Sequence, residues 1–331
     1  MMHYSDYLQL DKILGAQEPE SDRQGQPAHD EMLFIVIHQA YELWFRQLLF
    51  ETGSVIAILG RPTLNDNSPE LQTIVHRLSR CATILKVLVH QIDIMETMTP
   101  MDFLDFRDTL RPASGFQSWQ FKLLEAKLGL KYEHRYGQEY YLSQLRQPEI
   151  DRIRSAEKEP SLLQLLNSWL ERMPFPPAEM AGPFWEDYRR RYQESLNDAE
   201  KGNLAYYDSI LGAAASPADR SLSPAGCRAA VFIMLYRGYP LLQLPFQMLH
   251  QLLEIDEQLS TWRFRHMSMV HRMIGTRTGT GGSTGKGYLG AALERHHLFR
   301  EIAALTSFLI ERRRLPPLNP EMERRLGFSA H

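Results

Sequence analysis

DEMLFIVIHQAYELWFRQLLFETGSVIAIL, residues 30–59, is the stretch that decides the fold. One apolar stripe recurs along it at helical spacing and consists of Leu33, Ile37, Ala40, Trp44 and Leu48. A second stripe lies beside the first and consists of Phe34, His38, Tyr41 and Phe45. A helix that is apolar on two faces is buried inside a bundle rather than laid on its surface. The stretch therefore predicts a long buried helix.

The rest of the chain carries the same helical periodicity. Alternating β-branched runs bounded by Asn-Gly or Asp-Gly turns are absent, and apolar residues recur at spacings of three and four. The start of one helix is marked by Thr99 as N-cap, Pro100 at the first helical position and Asp102 in the first turn, and Pro112 stops it. Further helices are predicted at 68–98, 99–111, 159–171, 183–211, 225–236, 241–275 and 289–314. We therefore predict an all-α, bundle-type fold.

The chain shows no sign of a division into halves. Two breaks, at 213–226 and 276–287, are rich in small residues, but neither separates parts of different composition. We therefore predict a single helical domain over residues 1–314, with the glycine-rich 276–287 as a loop within it. Residues 315–331 contain three prolines and two arginines and are predicted to form a loosely packed tail.

Composition excludes several classes of function. The 331 residues carry a formal net charge of −3, which gives no electrostatic reason to expect nucleic acid or an anionic membrane as partner. The longest apolar runs fall far short of the roughly 20 residues that a membrane-spanning helix needs. No secretory signal is visible at the N-terminus, and two cysteines are too few for a disulfide framework. A cytoplasmic protein is expected.

Two familiar site patterns fail when their spacing is checked. The stretch at 279–287 resembles a phosphate loop, but Thr280 stands where that loop needs its first glycine and Gly287 follows Lys286. It is either a flexible connector or a loop able to close over a small polar or anionic group. Only Glu294 and His297 fit the Glu-x-x-His pattern of di-iron bundles, which requires two such pairs. A clustered metal site is not expected.

Single residues on helix faces leave alternatives open. His266 has Trp262 and Val270 one turn away on either side, which suits the flat apolar ring of a haem, whose iron needs only one protein ligand. By spacing alone it is equally a packed core histidine. Phe103 and Arg107 share one helix face, so the arginine needs an anionic partner, either an internal carboxylate or a substrate carboxylate. Ser114 could line the same cavity.

Seven segments together resemble the tryptophan 2,3-dioxygenase family, and they occur in the family's order over most of the chain. They are Tyr4-Ser-Asp-Tyr7-Leu8-Gln-Leu-Asp11, His29-Asp-Glu-Met-Leu-Phe34-Ile-Val-Ile-His38-Gln, Glu42-Leu-Trp44, Phe103-Leu-Asp-Phe-Arg107, Pro112-Ala-Ser-Gly-Phe-Gln-Ser118, Trp262-Arg-Phe-Arg-His266 and Gly279-Thr280-Gly-Gly-Ser. Thr284 departs from the second serine that commonly follows in the family. The ordered set is specific where any single segment is not.

The resemblance implies a helical homotetramer, a dimer of dimers, that binds haem b with its iron on His266. It implies that the ferrous protein, with dioxygen, cleaves the indole C2–C3 bond of L-tryptophan to N-formyl-L-kynurenine, the first step of the kynurenine pathway. Ser114 and Val270 are expected beside the haem. The expected substrate-binding residues are Phe34, Ile35, Val36, Ile37, His38, Phe103, Arg107 and Thr280, joined by Tyr4, Tyr7 and Leu8 from a neighbouring subunit.

The weak acidity of the indole N–H limits what His38 can do as a base. Free imidazole titrates near pH ~6.5, and an indole N–H is a far weaker acid, so we predict that His38 orients the indole by a hydrogen bond rather than removing its proton.

The alternative enzyme is a relative that acts on a modified tryptophan or inserts one oxygen atom. A haem-based sensor is a different class, but it needs no carboxylate clamp such as Arg107. A purely structural bundle does not explain the ordered polar groups.

Overall fold

The computed structural model describes residues 1–64, 68–135, 142–212, 220–277, 279 and 296–327. Within these ranges the regular structure is helical and contains no β-strand, which confirms the all-α prediction. The helices are α1 (Tyr4–Leu8), α2 (Leu10–Leu14), α3 (Glu20–Arg23), α4 (His29–Leu59), α5 (Pro69–Met95), α6 (Pro100–Arg107), α7 (Trp119–Leu128), α8 (Gln147–Lys158), α9 (Leu162–Glu171), α10 (Ala178–Ser195), α11 (Asn203–Leu211), α12 (Pro224–Leu235), α13 (Pro240–Ile274), α14 (Arg300–Ala304) and α15 (Pro320–Leu326).

Three long helices, α4, α5 and α13, form the centre of the fold. Helix α5 packs most extensively against α13 and next against α4, while α7 packs against α4 and α8. Leu48 and Val55 of α4 meet Ile74 of α5 and Leu252 of α13 in the main apolar core, where all four are fully buried. Each such side chain stabilises the fold by about 1.5–3 kcal/mol. The predicted helix at 30–59 is therefore confirmed as a central element.

Helix α6 begins as its sequence predicts. The Thr99 hydroxyl accepts from the Asp102 backbone N–H at 3.3 Å, and the Asp102 carboxylate accepts from the Thr99 N–H at 2.8 Å. This reciprocal pair satisfies two backbone donors that a helix start leaves without partners. The α-helix ends at Arg107 and continues as the 3₁₀ turn Asp108–Leu110 before Pro112. The cap thereby fixes where the Phe103 and Arg107 face begins.

The predicted helix at 183–211 is wrong, because the structure has two helices there, α10 and α11. Leu196 is extended, and the Asn197 side chain accepts from the backbone N–H groups of Ala199 and Glu200. An asparagine that caps the following residues offers the backbone an alternative to helix. The periodicity on either side is helical, so the break is visible only in that local hydrogen bonding. Helices α7 and α8, and the short helices α1, α2, α3 and α15, are also absent from the prediction.

The predicted helix at 289–314 is also wrong over its described part, 296–314. Helix α14 is followed by the 3₁₀ turns Leu305–Phe308 and Arg312–Arg314. The Tyr188 hydroxyl donates to the Phe308 carbonyl at 2.6 Å, which takes that acceptor out of a continuing helix.

The expectation of a loosely packed tail fails as well, because Met322 and Leu326 of α15 are buried in the main core. No helix in the described parts of the chain is both long and apolar enough to cross a membrane.

Candidate active site

A cavity of about 300 Å³ lies among α4, α6, α7 and α13. Its walls are largely aromatic and aliphatic, with a small number of polar groups, as in most small-molecule sites. The apolar lining consists of Phe34, Tyr41, Phe45, Ile92, Met95, Met98, Phe103, Phe116, Phe121, Trp262, Met269, Val270, Met273 and Ile274. Such a lining suits a flat apolar group better than a polar one.

The structure brings seven of the predicted site residues to this one cavity. They come from α4, α6, the turn after α6 and α13, and are Phe34, His38, Phe103, Arg107, Ser114, His266 and Val270. The segments that carry them are far apart in the chain, so nothing in the local sequence requires them to meet. Helix α6 packs against both α4 and α13, and the Tyr41 ring of α4 meets the Trp262 ring of α13, which brings these residues together.

Three neighbouring predicted residues do not border the cavity. Ile35 and Val36 are not among its lining residues, and Val36 is 46 % exposed. Ile37 is buried with Met95 and Phe106 in an apolar cluster against which Phe34 also packs. Successive helix residues are turned by about 100°, so only positions such as 34 and 38 share the cavity face. Contact of residues 35–37 with the substrate therefore stays a prediction.

The remaining predicted residues lie elsewhere. Tyr4 and Tyr7 are on α1 and are each 70 % exposed, and neither they nor Leu8 border the cavity of their own chain. Thr280 lies outside the described residues, as does most of the glycine-rich stretch. Gly279, the residue before it, borders the cavity.

His38 is held in a defined protonation state. Its Nδ1 lies 2.7 Å from the backbone carbonyl oxygen of Phe34, and because a carbonyl only accepts, Nδ1 carries the proton. Burial lowers the pKa of His38 below its usual 6.5, against the Phe34 hydrogen bond and the Glu42 carboxylate, which raise it. The ring is therefore neutral near pH ~7 and keeps a lone pair on Nε2, which makes it a hydrogen-bond acceptor.

His266 differs from His38 in what surrounds its Nδ1 atom. Its Nδ1 is buried without a hydrogen-bond partner among the described residues, and its ring stacks on Trp262 at 5.1 Å and 4°. Burial, followed by the nearby His38, lowers the pKa of His266 to about 4. A neutral imidazole on an apolar cavity wall has the chemistry of an axial haem ligand. The residues present therefore fit that group.

Phe103 and Arg107 of α6 line the cavity beside Phe34. The Phe103 ring lies 5.7 Å from the Phe34 ring at 28°, so the two aromatics face the same space. Arg107 ends α6 one turn later and is only 5 % exposed. A buried guanidinium beside two stacked rings can accept a ligand that is flat and apolar at one end and anionic at the other.

A cluster of charged residues at the cavity was missed in the sequence. Glu125 of α7 accepts from Arg135 and from Arg263, each at 2.7 Å, and His296 lies 3.8 Å from it. Burial raises the pKa of Glu125, but Arg135, Arg263 and His296 outweigh it and lower the pKa to about 2. The remaining member is Lys122. These residues belong to segments far apart in the chain, and only the Lys122 and Glu125 spacing of three hinted at a shared face.

The comparisons with known proteins agree on one family. A family model described as tryptophan 2,3-dioxygenase matches residues 1–309. The tryptophan 2,3-dioxygenase of Bdellovibrio bacteriovorus is 40 % identical, over 99 % of this chain and 98 % of that protein. The enzyme of the same name from Alteromonas mediterranea is 41 % identical over 98 % and 97 %, and that from Xenopus laevis is 41 % identical over 97 % and 85 %.

Proposed function

The chain belongs to the tryptophan 2,3-dioxygenase family, and on this basis we propose that it cleaves the indole C2–C3 bond of L-tryptophan with dioxygen. The product is N-formyl-L-kynurenine, and the reaction opens the kynurenine pathway. The observation that carries the proposal is the convergence of His38, Arg107 and His266 on one aromatic cavity. That set supplies an acceptor, an anion clamp and a metal ligand together.

The cofactor in this proposal is haem b, in the ferrous state when active. His266 holds the iron, because its neutral ring borders the cavity and its Nδ1 is buried away from any described partner. Val270, one turn later on α13, and Ser114 border the same space. When bound, the haem supplies the activation of dioxygen.

The substrate is held at both ends by residues of this chain. Arg107 pairs with the carboxylate of tryptophan, and the Phe34 and Phe103 rings flank the indole. Thr280 hydrogen-bonds the amino-acid head group in this assignment. Arg107 gives most of the binding specificity in this proposal, because its buried guanidinium borders the cavity and matches a carboxylate.

His38 orients the indole ring. Its Nδ1–H is committed to the Phe34 carbonyl, which leaves Nε2 to accept the indole N–H. The lowered pKa of His38 keeps the ring in this accepting form over the physiological range. A base with a lowered pKa is a poor acceptor for full transfer of an indole proton, which agrees with a positioning hydrogen bond.

Assembly completes the site in this proposal. The protein is a cytoplasmic homotetramer, a dimer of dimers, in which Tyr4, Tyr7 and Leu8 of one subunit close a neighbour's pocket. The high exposure of Tyr4 and Tyr7 in the single chain supports a role for them at a subunit contact. Residues 1–314 act as one domain, and Ile35, Val36 and Ile37 belong to its substrate-binding segment.

The test is a labelled-oxygen experiment. The purified haem protein is reduced without air, L-tryptophan is added, and the reaction is started with ¹⁸O₂. We expect N-formyl-L-kynurenine carrying two labelled atoms. One labelled atom would favour a mono-oxygenating relative, and turnover only of a modified tryptophan would favour a different substrate. Binding of both ligands without any product would overturn the proposal in favour of a sensor.

A further inference from the structure

Residues 1–14, which contain helices α1 and α2, form an N-terminal arm that buries none of its side chains. Neither helix has a buried residue, and Tyr4, Tyr7 and Leu14 are each at least 70 % exposed. A helix this short has little stability of its own in water. The arm therefore depends on contacts beyond itself to keep a fixed position.

The inner end of the arm is tied to α4 by one side chain, that of Gln39. Its Nε2 donates to the Ala16 carbonyl at 2.9 Å, and its Oε1 accepts from the Gln17 side chain at 2.6 Å. The same Gln17 Nε2 donates to the carbonyl of Ile13, in the last turn of α2, at 2.8 Å. Because a carbonyl only accepts, these contacts fix the orientation of both amides. Gln39 thus holds the point at which the arm begins.

A second anchor lies further along the chain, at Glu31 of α4. This carboxylate is 1 % exposed, and its two oxygens accept from the backbone N–H groups of Glu20 and Ser21 at 2.9 Å each. Burial of a carboxylate is tolerated where such donors meet it. Glu31 therefore holds the start of α3, and Gln39 is the anchor that lies nearer to the arm.

Gln39 follows His38 in the chain but faces a different side of α4. Successive helix residues are turned by about 100°, and Gln39 does not border the cavity that His38 borders. Its contacts in the described parts of the chain are with the segment that leads to the arm. An effect of Gln39 on the reaction is therefore expected through the arm rather than through contact with a ligand in its own cavity.

We propose that Gln39 is a positioning residue, which holds the arm of its own subunit so that Tyr4 and Tyr7 reach the neighbour's pocket. Fixing the base of the arm removes conformational freedom before the arm closes, so that less entropy is lost on closure. Without Gln39 the nearest anchor is Glu31, several residues further along the chain, and the local concentration of the two tyrosines at the pocket falls. This inference rests on the proposed function, in which the arm completes a neighbour's site.

The experiment places two substitutions in two backgrounds. Gln39→Leu removes both hydrogen bonds at similar side-chain size. Gln47→Leu is the matched control, because Gln47 is also a half-buried glutamine of α4, donates to Glu51 at 2.8 Å and does not border the cavity. Each is made in the wild-type haem protein and in Tyr4→Ala/Tyr7→Ala. The readouts are KM and kcat for L-tryptophan, haem content, and amide hydrogen exchange of residues 1–14 by mass spectrometry.

In the wild-type background, Gln39→Leu should raise KM by roughly fivefold, the effect of losing a side chain's hydrogen bonds. Amide exchange should quicken in the arm alone, and haem content should stay unchanged. Tyr4→Ala/Tyr7→Ala should itself raise KM, and Gln39→Leu should then add nothing, because both changes act through the same contact. Gln47→Leu should alter none of the readouts.

Two outcomes would overturn the inference while leaving closure by the arm intact. An equal rise of KM with Gln39→Leu in both backgrounds would mean that Gln39 acts on the His38 helix directly. An unchanged KM with faster exchange in the arm would mean that the anchor has no part in closure. A normal KM in Tyr4→Ala/Tyr7→Ala itself would instead refute the closure of a neighbour's pocket, and the inference would fall with it.

Discussion

Two walls of the cavity each present a buried histidine, and the two are prepared for different chemistry. On the substrate wall, formed by Phe34, His38, Phe103 and Arg107, the His38 Nδ1 is 2.7 Å from a backbone carbonyl. On the haem wall, formed by Trp262, His266 and Val270, the His266 Nδ1 has no partner among the described residues. Both rings have a lowered pKa because of burial. The hydrogen bond at Nδ1 therefore distinguishes His38, which can accept a hydrogen bond in a fixed orientation, from His266, which can offer a lone pair to a metal.

The largest effect is expected from removing the histidine of the haem wall. His266→Ala deletes the proposed iron ligand, so dioxygenase activity should be lost and haem content should fall in the purified protein. Formation of N-formyl-L-kynurenine measures the activity. Absorbance of the bound haem relative to total protein measures the haem content. His271→Ala is the control, because His271 is exposed on the same helix. Normal activity and haem content in His266→Ala would contradict the assignment.

Arg107→Met tests the anion clamp of the substrate wall. Loss of a buried charge partner costs about 2–5 kcal/mol, so kcat/KM for L-tryptophan should fall by about 30-fold or more. The fall should be much smaller for tryptamine, which has no carboxylate. Steady-state kinetics with both substrates measure the difference, and exposed Arg61→Met serves as control. An equal loss for the two substrates would show that Arg107 only supports the fold.

A smaller effect is expected from the other histidine. His38→Ala removes a positioning hydrogen bond worth about 1 kcal/mol, so kcat/KM should fall by roughly fivefold while haem stays bound. His90 makes the same contact to a carbonyl, that of Lys86 at 2.7 Å, but on an exposed helix face. His90→Ala is therefore the matched control and should leave kinetics unchanged. Complete loss of turnover with tryptophan still bound would instead make His38 an essential base.

The smallest effect is the pH dependence of tryptophan binding. Because burial lowers the pKa of His38, its ring stays neutral as pH falls from about 8 to about 6.5, where a free imidazole is half protonated. KM should stay flat over that window and rise only at lower pH, when Nε2 gains a proton. The rise should be absent from His38→Ala. A wild-type KM that climbs already between pH ~7.5 and ~6.5 would contradict a lowered pKa.

Much of the substrate wall was predictable from helix spacing. Phe34 with His38, and Phe103 with Arg107, are each four residues apart, and a helix necessarily places such pairs on one face. The same geometry does not place residues 35–37 in the cavity lining, so their contact with substrate stays a prediction. Ile37 is turned by about 100° from His38 and is buried beside Met95 and Phe106.

The charged cluster around Glu125 could not be predicted in the same way. Arg135, Arg263 and His296 come from segments far from α7 in the chain, so only tertiary packing brings them to Glu125. Helix α7 was itself missing from the prediction. The difference between His38 and His266 could not be predicted either, because it depends on which group lies next to Nδ1 in the folded chain. Spacing shows a shared helix face but not what lies opposite it.

The most direct test of the central claim is resonance Raman spectroscopy of the ferrous haem protein in two variants, His38→Ala and His266→Ala. The iron–histidine stretching band reports which ring is bound to the metal. The band should persist in His38→Ala and vanish from His266→Ala. Its loss from His38→Ala with retention in His266→Ala would reverse the roles of the two walls and contradict the account.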